Sequence, residues 1–504
     1  MYNINRIKEM RKTMNRESGI LLHISSLPGK YGIGDFGKEA YKFIDFLKES
    51  DQKNWQILPL GITGYGDSPY QSFSAFAGNP YFIDIEEFIE KEYISEEDVN
   101  EYNLKSRDDS IDYNKLYKNK YKLLRLIYNK DYDLSKKKLE EFYIKEKEWL
   151  RPFALFMTIK DYQQGKSWLE WEDRFKEYDS KSVQEFENKN KKDLFFWVFT
   201  QFYFFTQWKK LKKYANNRNI NIIGDMPVYV AEDSSDIWAN SKYFNLDKDL
   251  KPKTVAGVPP DLFSEKGQLW GNPIYNWKNI KEDNYKWWIK RIQHSFRLFD
   301  KLRIDHFRGF EAYWEVEKNS KDAVKGKWVK GPGLELFKEI KKQLGNLDII
   351  AEDLGFLTKE VHNLIDDTGY PGMKVLQFAF DGDSSNPYLP HNYCKNSVVY
   401  TGTHDNQTTK DWFASQDKES KKYIKDYIKE KNDKDISWKL IKTAWSSTAD
   451  LAIAPMQDFL NLGNESRMNT PATLGDNWTW RLASNLMKRE LSEKISHITQ
   501  LYGR

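Results

Sequence analysis

Eight short apolar segments, each ending in polar, Gly or Pro residues, limit what this chain can fold into. They cover residues 19–26, 55–61, 221–230, 301–309, 348–355, 373–380, 398–405 and 451–460. Continuous apolar runs of this length belong to strands buried on both faces, and therefore to a parallel sheet. Helical patterning lies between most of them, as in 285–300, 333–344 and 359–367. Alternation of this kind builds βαβ units, and eight strands are the number that closes a (β/α)8 TIM barrel.

The spacing is uneven. The second and third segments are separated by residues 62–220, too many for one crossover. Within that gap, 80–215 is rich in Lys, Glu and Tyr and is patterned as helix. It reads as an inserted, mainly helical subdomain between strands 2 and 3. A second stretch after strand 3, residues 231–277, is rich in Gly, Pro, Asp and Trp with little periodicity. It reads as irregular lid loops, since long loops in compact domains usually serve binding. The expected organisation is thus 1–79 for barrel strands 1 and 2, 80–215 for the insertion, and 216–504 for the rest of the barrel. A closing helix is expected within 477–504.

Lys+Arg 79 against Asp+Glu 75 leaves a net charge of +4. No concentrated basic face follows from that balance, so nucleic acid is not an expected partner. The one cysteine, Cys394, excludes an intrachain disulfide and any Cys-rich zinc site. No apolar run approaches the roughly 20 residues of a membrane span. The longest, 194–205, carries Phe195, Phe199 and Phe202 at helical spacing and reads as a buried amphipathic helix. No secretory leader is recognised in residues 1–14, so the cytoplasm is the expected location.

The acidic residues of interest share one place, the C-terminal end of an expected strand. Asp225 follows Ile222-Ile223-Gly224, Asp305 follows Leu302-Arg303-Ile304, Glu352 and Asp353 follow Ile349-Ile350-Ala351, and Asp405 follows Thr401-Gly402-Thr403-His404. In a barrel these ends converge on one face, where active sites are built. A lone carboxylate in an apolar strand is usually a structural partner of an Arg. Four at matching strand ends, beside Arg303, His306 and His404, fit a shared chemical task better. Glycosyl transfer wants such a set: a nucleophile and a general acid/base about 5 to 5.5 Å apart in the retaining mechanism. Arg303, two residues before Asp305 and so on the same strand face, can hold the nucleophile ionised. Glu352, near other carboxylates, can keep its proton. His306 and His404 lack the paired spacing of a zinc helix, so no metal and no other cofactor is expected. The high aromatic content, 15% with 18 Trp, supplies core, and flat rings that can stack on sugar faces.

Longer motifs carry a resemblance. The segments at 64–84 (GYGDSPYQSFSAFAGNPYFID), 224–238 (GDMPVYVAEDSSDIW), 257–277 (GVPPDLFSEKGQLWGNPIYNW), 303–310 (RIDHFRGF), 351–355 (AEDLG) and 402–408 (GTHDNQT) resemble 4-α-glucanotransferases of the amylomaltase type. These form family 77 of the glycoside hydrolases and are relatives of the α-amylases. The likeness runs over nearly the whole chain. It implies Asp305 as nucleophile, Glu352 as general acid/base and Asp405 as the third carboxylate that holds the reacting sugar. Arg303, His306 and His404 match residues around the reacting ring, Asp225 the acidic position ending the third strand, and Tyr70 a tyrosine near the cleavage point. Phe263 and Trp270 match glucan contacts in a mobile loop, where Leu262 replaces a frequent Tyr. Asn469 matches a substrate-binding position in a segment with Ala472 where Gly is common, and Tyr65 a secondary glucan groove. The implied partners are maltooligosaccharides and starch- or glycogen-derived α-1,4-glucans, with the protein a monomer or weak homo-oligomer. Three other readings share these residues: an α-glucan hydrolase of the amylase type, a non-catalytic glucan-binding protein, and a metal-dependent barrel hydrolase.

Overall fold

The computed structural model describes residues 16–504 except 261–263, 356 and 474, and only the backbone at Tyr65. Twelve strands are present among these residues: β1 (Glu17–Leu21), β2 (Asn54–Gln56), β3 (Asn221–Met226), β4 (Thr254–Val258), β5 (Gln268–Pro273), β6 (Lys301–Ile304), β7 (Ala312–Glu317), β8 (Gly326–Lys330), β9 (Ile349–Ala351), β10 (Gly372–Val375), β11 (Ser397–Tyr400) and β12 (Leu451–Pro455). Eight of them close a barrel in the order β1-β12-β11-β10-β9-β6-β3-β2. Every pairing in it is parallel. Each barrel strand lies within or overlaps one of the eight apolar segments. β9, β11 and β12 are buried at every position, which is why alternation is absent from those sequences.

Amphipathic helices cover the barrel. Lys38–Glu49 precedes β2, Lys286–Leu298 precedes β6, Leu334–Leu344 precedes β9, and Lys359–Thr368 precedes β10. The last helix, Arg489–Leu501, is followed by Arg504, whose guanidinium donates to the carbonyls of Trp445, Glu17 and Ala449 at 2.7, 3.0 and 3.0 Å. These bonds tie the end of the chain to the N-terminal ends of β1 and β12.

The stretch between β2 and β3 is mainly helical. Two long helices dominate, Tyr113–Tyr162 and Lys191–Asn216. They pack through aromatic contacts such as Tyr128 on Phe199 and Phe142 on Phe202, with the ion pair Arg125–Asp193 between them. Asp112 starts the first helix by accepting from the Lys115 N–H, the usual device for satisfying a free helix-end donor. Lys120, on the same helix, is fully buried and donates to the Ile83 carbonyl at 3.2 Å.

The segment after β3 is more ordered than its composition suggests. It holds a short helix, Ser235–Ala239, and then β4 and β5. These two strands join β7 and β8 in a four-stranded antiparallel sheet outside the barrel, order β5-β4-β7-β8. Glycines at 257 and 271 interrupt the apolar alternation that would have marked β4 and β5 as strands.

Barrel packing at β3 is tight. A Cβ placed on Gly224 would lie 2.1 Å from Cδ2 of Phe299, a separation that forces backbone or ring to move. Gly224→Ala is therefore expected to destabilise by about 1–3 kcal/mol, read as a lower urea midpoint at unchanged slope. An unchanged midpoint would show that the barrel wall yields more easily than its packing indicates.

Candidate functional site

The residues that converge at the C-terminal mouth of the barrel are organised by one arginine. Arg303 pairs in register with Asp225 across β3 and β6. Its side chain is 4% exposed, so its charge needs partners. Nη1 donates to Asp225 Oδ2 at 2.6 Å and Nη2 lies 3.0 Å from Asp305 Oδ1. Burial pulls the guanidinium down, but the two carboxylates outweigh it and hold the group protonated. The two-residue strand period puts Arg303 and Asp305 on the same inward face, as their sequence spacing indicates.

Asp225 sits at the centre of a second chain of contacts. Its Oδ2 accepts from Tyr70 Oη at 2.8 Å, and Tyr70 Oη lies 2.9 Å from His404 Nε2. Since Tyr70 gives its proton to Asp225, its oxygen accepts from His404, which assigns that ring the Nε2–H tautomer. Burial keeps the His404 imidazole neutral by lowering its pKa. The same nitrogen is 3.3 Å from Asp405 Oδ2, and the Tyr70 and His404 rings stack at 5.4 Å. Asp405 Oδ1 accepts from Asn469 Nδ2 at 2.6 Å.

Glu352 follows β9. Its Oε2 accepts the His306 N–H at 2.6 Å and its Oε1 the Leu354 N–H at 2.8 Å. His306 reaches that bond only by adopting left-handed backbone angles, φ 51 and ψ 49, a conformation costing a non-glycine residue about 1 kcal/mol or more. The His306 imidazole, pushed down to about 3 by burial and then by Arg308, is neutral and packs edge-on against Trp270 at 4.7 Å.

Burial raises both Asp305 and Glu352, each against the pull of Arg303. The two differ in contact. Asp305, with a side chain 28% exposed, touches the guanidinium directly, whereas Glu352 is held by backbone N–H groups. The cation favours the charged form of Asp305, and the two backbone donors favour that of Glu352.

Ten of the residues singled out in the sequence are linked by these contacts: Tyr70, Asp225, Trp270, Arg303, Asp305, His306, Glu352, His404, Asp405 and Asn469. Phe263 lies outside the described residues. Tyr65 begins a short 3-10 turn, Tyr65–Asp67. Two further residues were not visible in the sequence. Arg467 donates to the Asp405 carbonyl at 2.6 Å and to the Asn469 carbonyl at 2.8 Å. Its place two residues before Asn469 was the only available signal. Trp478 lies 5.9 Å from both the Tyr70 and the His404 rings; among 18 tryptophans nothing in its local sequence marks it. Asp353, the neighbour of Glu352, points elsewhere: its Oδ1 accepts the Met373 N–H at 2.5 Å. No three His, Cys, Asp or Glu side chains among the described residues are grouped as metal ligands.

Known proteins resemble this chain over nearly its whole length. The glycoside hydrolase 77 family model, described as 4-alpha-glucanotransferase, matches residues 22–487. A 4-alpha-glucanotransferase of Clostridium butyricum is 51% identical over 485 residues, covering 96% of this chain and 100% of that one. One from Streptococcus pneumoniae is 46% identical, covering 97% of each. Among solved structures, an amylomaltase from Streptococcus agalactiae in complex with acarbose superposes with a TM-score of 0.95 at 41% identity, covering 97% of this chain and 99% of that one.

Arg303→Met would leave Asp225 buried beside an apolar side chain. We expect a loss of about 3–5 kcal/mol in stability, measured by denaturant unfolding, with partial recovery in Arg303→Met/Asp225→Asn. Equal stability of the single and double variants would show that Asp225 does not depend on the guanidinium.

Proposed function

The chain belongs to glycoside hydrolase family 77, the 4-alpha-glucanotransferases, and from that membership we propose how its residues divide the reaction. Asp305 attacks the anomeric carbon of a bound α-1,4-glucan while Glu352 protonates the departing glycosidic oxygen. A covalent glucosyl–enzyme forms. Glu352, now a base, takes the proton from the 4-hydroxyl of an acceptor glucan or glucose, which attacks the same carbon and restores the α-linkage. The observation that carries this assignment is the asymmetry of Arg303: it contacts Asp305 and not Glu352.

Asp405, whose side chain is held by Asn469 and His404, grips hydroxyls of the reacting sugar. Tyr70 provides ring surface next to it, backed by the buried ring of Trp478. Trp270, packed on His306, serves the acceptor side together with Phe263. Tyr65 is assigned to a secondary glucan contact. Transfer requires that an acceptor outcompete water at ~55 M for the intermediate, so acceptor contacts and exclusion of water decide the outcome. Maltooligosaccharides from starch or glycogen are the proposed substrates, the reaction uses no cofactor, and the protein acts as a monomer or weak homo-oligomer. The cytoplasm is the proposed compartment; an exposed thiol at Cys394 and the absence, among the described residues, of a helix long and apolar enough to cross a membrane support it.

Pure protein incubated with maltotriose is expected to yield glucose and a ladder of longer oligomers at constant total reducing ends. A rise in reducing ends would convert the assignment to hydrolysis. Asp305→Asn should retain the fold and lose at least about 10³-fold in rate. The pH profile supplies a third test. Glu352 must carry a proton, and burial raises its carboxyl, so activity should fall as pH rises through that raised value. The alkaline limb should therefore lie above the ordinary carboxylate range and vanish in Glu352→Gln, whose residual rate should not follow it.

A further inference from the structure

The four-stranded sheet outside the barrel presents an aromatic face that the reaction above does not use. Leu269 pairs with Gly257 across β5 and β4, Gly257 with Trp314 across β4 and β7, and Trp314 with Trp328 across β7 and β8. Residues paired across antiparallel strands project to the same side, so Leu269, Trp314 and Trp328 share one face. Trp270, next along β5, projects to the other, where it meets His306 and Tyr229. One strand thus presents a ring to the catalytic mouth and an apolar side chain to the outer face.

That outer face is exposed. Trp328 is 42% exposed, Leu269 38% and Val324 48%, three of the few large apolar side chains the described residues leave in water. Scattered singly such residues need no explanation, but grouped on one small sheet they mark an interaction surface. Ala323 lies near Gly257, fully buried, and the indole N–H of Trp314 donates to the Ala323 carbonyl at 2.9 Å. Val324 is thereby fixed beside the pair. Trp328 is held in turn by the Arg308 guanidinium, 3.9 Å from its ring, and by an edge contact with Trp314 at 5.2 Å. Arg308 belongs to the turn Phe307–Phe310 that follows β6, so Trp328 is anchored to the chain segment just beyond Asp305.

We infer that this face is a docking site for an α-1,4-glucan chain outside the catalytic cleft, with Trp328 as its stacking platform. The inference rests on the transferase reading, which makes the substrate a neutral polymer able to extend beyond the cleft. Charge supports that chemistry over an anionic partner. Residues 311–330 carry five lysines against four carboxylates, a near balance, and Lys318, Lys327 and Lys330 pair with Glu232, Glu315 and Glu311 at 2.7, 3.4 and 3.1 Å. The face offers a rigid aromatic ring with apolar neighbours, which suits the C–H face of a pyranose. A glucan held there raises the effective concentration of its ends at the mouth without any new contact in the cleft.

The test uses Asp305→Asn protein, which does not turn over, carrying Trp328→Ala, Trp328→Leu or Trp328→Tyr. Affinity for soluble amylose should fall about tenfold in the Ala and Leu variants, which is about 1.4 kcal/mol, and be retained in the Tyr variant. Maltotriose affinity should not change in any of them. Equal amylose affinity in all four proteins overturns the proposal. Loss in Ala with retention in Leu makes the face a general apolar contact and also overturns it. So does sedimentation as a dimer that Trp328→Ala dissociates, because a second copy then covers the face. Maltotriose disproportionation by the protein carrying Trp328→Ala alone separates these results from a failure of the transferase reading.

Discussion

A buried positive charge governs the mouth of this barrel. Arg303 reaches two carboxylates from different strands, and each of them extends the influence of that charge. Through Asp225 it fixes Tyr70, whose hydroxyl in turn sets the tautomer of His404. It also contacts Asp305 directly, one of two carboxyls that burial raises. Buried ion pairs are weak devices for stability, because desolvation offsets most of the attraction. Here the cation also pulls against burial, which raises both neighbouring acids, and it touches only one of the two.

The parts legible in the sequence were those set by local chemistry. Parallel strands with both faces covered leave continuous apolar runs, so β3, β6, β9 and β11 could be located from composition alone, and the carboxylates ending them followed. Arg303 and Asp305 could be placed on one face because strand periodicity is strict. The amphipathic helices 286–298, 334–344 and 359–368 were equally plain, since each has its own apolar stripe.

What escaped depends on contacts distant in the chain. Arg467 matters because the chain after β12 folds back to the loop after β11, where Arg467 meets the backbone of Asp405; no local pattern encodes that return. The outer sheet escaped for a different reason. β4 and β5 carry glycines where alternation would be read, and β8 is a charged edge strand with Lys327 and Lys330 flanking its tryptophan. Edge strands are commonly charged to prevent pairing with other chains, and that protection removes the apolar pattern by which strands are recognised. Trp478 illustrates a third limit, since a buried aromatic that packs behind Tyr70 and His404 and one elsewhere in the core look identical in sequence.

The left-handed turn at His306 has a mechanical consequence. His306 follows Asp305, and its N–H is bonded to the carboxyl of Glu352. The backbone beside Asp305 is thus tied to Glu352 across a single peptide unit, the stiffest component a chain possesses. Loops around the mouth can differ in length or sequence without altering that tie.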